Sequence, residues 1–123
     1  MIFVFGSNLD GVHGAGAARW AYDHHCAQMG VGEGLTGVSY ALPTVGRKLA
    51  RMSLLEVEKH VQRFIAFAAA QPKAIFQVTR IGCGLAGFTD AEIAPMFADA
   101  PPNCLFDSAW EEFLPTKEFW GTI

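Results

Sequence analysis

The chain opens on an unbroken apolar run, Ile2-Phe3-Val4-Phe5, stopped by Gly6. A run without alternation predicts a strand buried on both faces. Beyond a small-residue stretch, Ala17, Ala18, Ala21, Tyr22, His25 and Met29 recur at helical spacing. This predicts a helix over 14–29, ended by the glycines at 30, 32 and 34. Val38-Ser39-Tyr40-Ala41-Leu42 alternates as a second strand would, and Pro43 should stop it.

Ser53 with Glu56 three residues on reads as a capping box. Leu54, Val57, Val61, Phe64, Ile65 and Ala68 form the apolar stripe of the helix it starts, and Gln71-Pro72 ends it. Residues 74–79 predict a third strand. Thr89 and Glu92 offer a second capping box, but Pro95 requires the helix either to kink or to start later. Cys104-Leu105-Phe106 reads as a last short strand. The tail carries Trp110, Phe113, Phe119 and Trp120, which are expected to pack back on the domain.

Strands alternating with helices predict an α/β fold, a mostly parallel sheet flanked by helices, in a single domain over 1–123. Loops leaving strand C-terminal ends then share one edge, where open α/β sheets bind ligands. Both glycine-rich stretches, "GSNLDGVHGAGAA" at 6–18 and "RIGCGLAGF" at 80–88, fall on that edge.

Composition narrows the candidates. Of the 123 residues, 51% are hydrophobic and 17% charged, as in a globular domain. A formal net charge of −3 argues against a general nucleic-acid binder, so an anionic ligand would be held by backbone N–H groups and helix dipoles. Cys26, Cys83 and Cys104 lack CxxC spacing and read as reduced thiols. No leader or membrane-spanning run is expected, which points to the cytoplasm and to no membrane partner.

In "HGAGAA", Gly14 and Gly16 bare the backbone where a helix begins, and a helix N-terminus is a ready anion site. Close helix–sheet packing would need the same small residues. In "GCGLAG", Gly82, Gly84 and Gly87 allow positive φ and bring successive amides together. Phe88 is placed either to stack on a sugar or base or to pack in the core. Neither loop is a Walker motif or a dinucleotide fingerprint.

His13 could act as general base or phosphate contact, or be an ordinary loop histidine. Asp10 could activate water, or simply serve the "LDG" turn. Cys83 is either a lowered-pKa nucleophile or a small wall residue. Arg80 reads as a loop anchor, and Arg47 and Lys48 as flanking cations. Adjacent His24 and His25 point to different helix faces, so no metal site is expected, and no cofactor is implied.

Taken in order, "GSNLDGVHGAGAA", "YALPT" and "RIGCGLAGF" resemble a macrodomain, in the branch of the terminal ADP-ribose glycohydrolases and of compact macro-like proteins from phages and bacteria. The resemblance covers about residues 2–106, and "RIGCGL" is its specific part. It implies a three-layer α/β/α fold that binds ADP-ribose in the crevice. On that basis Gly14, Ala15, Gly16 and Ala17 line the diphosphate and distal ribose. Gly82, Cys83, Gly84 and Leu85 form the second wall, and Asn8 contacts the distal ribose.

Two departures from the family pattern matter. The adenine-reading aspartate of macrodomains has no counterpart before "MIFVFGSN", and Ala86 stands where the glycohydrolase branch has its catalytic aspartate. The expectation is a small-molecule site for ADP-ribose or a related NAD-derived nucleotide, with hydrolysis of an ADP-ribose derivative open. A recognition module on the same fold, or a hydrolase of another phosphorylated nucleoside, are the alternatives.

Overall fold

A computed structural model describes residues 1–122. The opening apolar run forms β1 (Ile2–Asn8). The remaining strands are β2 (Gly34–Thr36), β3 (Ser39–Val45), β4 (Phe76–Val78), β5 (Cys104–Asp107) and β6 (Glu118–Gly121). They form one six-stranded sheet in the order β2-β3-β1-β4-β5-β6. All neighbours are parallel except β2, which runs antiparallel on the edge of β3. With β1 inside a parallel sheet, both its faces are covered, which is why its sequence does not alternate.

Phe3 and Phe5 pack with Ala41 beneath helix α1 (Gly16–His24), through Ala21. Val4 points the other way, into the larger core under α2 (Leu54–Ala69). There Val57, Val61, Phe64, Ile65 and Ala68 of the helix meet Tyr40, Leu42, Phe76, Val78 and Phe106 of the sheet. The domain is thus α/β, with helices on both faces of a mostly parallel sheet. The capping box of α2 is formed: Ser53 Oγ accepts from Glu56 N at 3.1 Å, and Glu56 Oε1 accepts from Ser53 N at 3.3 Å.

Several boundaries differ from the pattern reading. The first helix stops at His24 rather than 29, because Cys26 turns left-handed at φ +59° and the chain doubles back. Strand β3 runs through Pro43. Its antiparallel partner pairs only as far as Ala41, so no bond from that side is asked of the proline nitrogen. At Pro95 the chain changes from α3 (Asp90–Ile93) to a 3-10 turn, Ala94–Phe97. The aromatic tail does pack back, with Trp110 fully buried, and it also adds the unanticipated strand β6. Trp120 Nε1 donates to Val78 O at 2.9 Å.

Register decides where the site forms. Val4 pairs with Val78 and Val78 with Phe106, so β1, β4 and β5 all end on the same edge.

Candidate functional site

A cavity of about 580 Å³ opens on that edge, between the loop after β1 and the loop after β4. Its size falls among ordinary small-molecule sites. Val12, Leu49 and Leu85 line it with well-exposed side chains, Leu85 at 88%.

The first wall is built by local hydrogen bonds. Asn8 Nδ2 donates to Val12 O at 2.9 Å while its Oδ1 accepts from Val12 N at 3.0 Å, closing a tight loop. Both ends of the Asn8 amide are therefore engaged. The residue borders the cavity and clamps the loop, and its second amide hydrogen and remaining oxygen lone pair are left for a ligand. Asp10 also borders the cavity, with both oxygens held: Arg47 Nη1 donates to Oδ1 at 3.3 Å and Lys48 N to Oδ2 at 2.7 Å. This pair of contacts holds the turn in which Lys48 and Leu49 take φ of +54° and +59°. Leu49, rather than Arg47 or Lys48, lines the cavity.

His13 does not reach the cavity. It has no exposed surface, it meets Phe5 edge-on with ring centroids 5.2 Å apart, and Nε2 lies 2.9 Å from Gln28 O. Since that carbonyl only accepts, Nε2 carries the proton. An enclosed ring of this kind is core, and the general-base expectation is corrected accordingly.

Gly14, Ala15, Gly16, Ala17 and Ala18 complete this wall. Helix α1 begins with no side-chain cap at Ala15 and no acidic residue in its first turn. The backbone N–H groups of Gly16, Ala17 and Ala18 donate to nothing among the described residues; the first bond of the turn is Arg19 N to Ala15 O, 3.2 Å. Unpartnered donors and the helix dipole together favour an anion here.

The second wall is folded by two short turns. Cys83 N donates to Arg80 O at 3.2 Å, Gly87 N to Gly84 O at 3.0 Å, and Phe88 N to Gly82 O at 2.9 Å. Gly82 and Gly87 take φ of +76° and +81°, which requires glycine. The turns leave the N–H groups of Gly84, Leu85 and Ala86 without acceptors among the described residues. All three residues line the cavity, as do Gly82 and Cys83.

Phe88 lies outside the cavity. Its ring packs on the core, and a Cβ at Gly82 would come within 3.2 Å of it, so it fixes the loop rather than stacking on a ligand. Gly87 lines a second, smaller cavity beside the first, of about 430 Å³.

Burial, and then the neighbouring Asp90 carboxylate, push the Cys83 thiol up to about 12, the opposite of an activated nucleophile. Arg80 lines the cavity, but its guanidinium is paired with Asp90. Thr44, Thr79 and Asp107 also line it and were not singled out from the sequence. Their shared signal is position: each stands at or just past the C-terminal end of a parallel strand.

Neither a family model, a curated protein nor a solved structure matches this chain. Among the described residues, no helix is long and apolar enough to cross a membrane.

Proposed function

We propose that this cavity binds ADP-ribose or a related NAD-derived nucleotide, with the diphosphate between the start of α1 and the loop after β4. The observation that carries this reading is the pair of amide runs, Gly16–Ala18 and Gly84–Ala86. Each is without acceptors among the described residues, and each lines one wall of the same cavity. A diphosphate has enough oxygens to accept from both runs at once, and a protein with a net charge of −3 can hold it through backbone dipoles. The likeness of both loops to those of macrodomains supports the same ligand class.

Binding is favoured over covalent hydrolysis. His13 is sealed, Cys83 is held as the thiol, and Ala86 offers only a methyl group next to the free amides. Calorimetric titration with ADP-ribose, AMP and NAD tests the reading. ADP-ribose should bind most tightly, and absence of binding by all three would overturn it.

A further inference from the structure

Two adjacent residues in the loop after β3, Lys48 and Leu49, hold left-handed backbone at φ of +54° and +59°. Neither is glycine, so side-chain sterics oppose both conformations. Among the described residues only Cys26 shares this departure. The turn is held shut at its base. Gly46 N donates to Ala50 O at 2.8 Å and Ala50 N to Arg47 O at 3.0 Å, while Val45 bridges to Arg51. From outside the turn, Asp10 Oδ2 accepts from Lys48 N at 2.7 Å.

Strain of this kind persists where the surroundings over-determine it, and it gathers at ligand clamps. The protein's own packing does not account for it here. Leu49 is 75% exposed and belongs to neither core cluster, so its side chain gains little burial from the strained backbone. What the conformation does achieve is to set Leu49 on the wall of the main cavity. Leu85, equally exposed, lines the same cavity from the loop after β4. Both also line the smaller cavity alongside, so the pair stands where the two cavities meet. Strands β3 and β4 flank β1, and the two leucines therefore come from opposite sides of it.

Resting on the nucleotide reading above, we propose that Leu49 and Leu85 clamp a sugar or base ring of the ligand, with Asp10 as the positioning residue that sets Leu49. A ring with weakly polar faces removes both side chains from water, and that burial offsets the strain of the turn. The clamp adds affinity for the nucleoside part of the ligand and none for the diphosphate, which has no apolar face to offer.

Calorimetry with ADP-ribose, ADP and inorganic pyrophosphate tests this. Leu49→Gly accepts the left-handed backbone but has no side chain, so its urea midpoint should hold or rise. Its affinity for ADP-ribose should fall about tenfold, while that for pyrophosphate stays within about twofold. An equal loss with ADP places the clamped ring in the adenosine half; an unchanged affinity for ADP places it in the second ribose. Leu49→Met, an apolar side chain of similar size, should keep ADP-ribose binding within about threefold. Asp10→Ala should weaken ADP-ribose binding about fivefold, yet add nothing to Leu49→Gly, where no side chain is left to aim. An ADP-ribose affinity unmoved by Leu49→Gly overturns the clamp, and so does a lowered urea midpoint. Additive losses in the double variant overturn the role of Asp10. If wild type binds none of the three ligands, the nucleotide reading itself fails and the clamp with it.

Discussion

Arg80 and Asp90 brace the ends of the loop after β4 through two hydrogen bonds, Nε to Oδ1 at 2.9 Å and Nη2 to Oδ2 at 2.6 Å. The fully buried Trp110 adds a third, from Nε1 to Oδ1 at 2.7 Å. Arg80 first, and then the indole N–H, hold the Asp90 carboxyl at about 2, below its ordinary 3.8. A depressed carboxylate stabilises the fold above its unfolded value and loses that contribution as pH falls through its folded value. Asp90→Asn should therefore cost about 1–2 kcal/mol at pH 7, discounted for the half-exposed guanidinium. The gap from wild type should narrow as pH falls from about 4 to about 2. Urea midpoints of both proteins across that range check it, and a gap that stays constant would contradict the brace.

Gly14 and Gly84 both border the cavity, neither has positive φ, and a Cβ at either would meet nothing within 4 Å. Gly14→Asp and Gly84→Asp should thus fold normally while placing a carboxylate beside the free amides. Each should weaken ADP-ribose binding by about a hundredfold or more through like-charge repulsion in a confined site. Gly16, at φ +59°, is a poorer choice, because any side chain there adds backbone strain. Calorimetry on the folded variants is the check.

His13 is read as core, so His13→Ala should destabilise the protein by about 2–4 kcal/mol, the range for emptying a buried site of this size. ADP-ribose affinity, measured where the variant is still folded, should stay within about threefold of wild type. Undiminished stability would return the histidine to the list of functional candidates.

Cys83 and Cys26 should differ sharply toward iodoacetamide at pH 8. Cys26 is exposed, whereas the Cys83 thiol is pushed up to about 12. Peptide mass spectrometry should show Cys83 modified at least about a hundredfold more slowly. For the same reason no ADP-ribosyl adduct should form on this loop after incubation with an ADP-ribosylated peptide.

Much of this architecture is legible in the chain because local and tertiary signals agree. The unbroken run at Ile2–Phe5 marks a central parallel strand, and the Ser53–Glu56 box with its apolar stripe marks α2. Strand β2 is only three residues long and begins at Gly34, inside what reads as a glycine-rich helix end. Strand β6 is partly exposed, so its alternation is blurred.

At the site, Gly16, Gly82 and Gly87 are legible because their positive φ favours glycine. His13 is not, since an isolated histidine looks alike whether a ring of apolar neighbours encloses it or water surrounds it. Asp107 is a lone acidic residue after a short strand, and only the assembled sheet shows that it is buried against the cavity. The one signal it carries in the sequence is its place at the C-terminal end of a parallel strand.

The most direct test of the central claim follows individual amides by NMR during titration with ADP-ribose, and separately with inorganic pyrophosphate. The account predicts that the N–H resonances of Gly16, Ala17, Ala18, Gly84, Leu85 and Ala86 shift together and saturate with both ligands, because both runs receive the diphosphate. Binding that leaves either run unmoved, or that perturbs a different face of the domain, would contradict it.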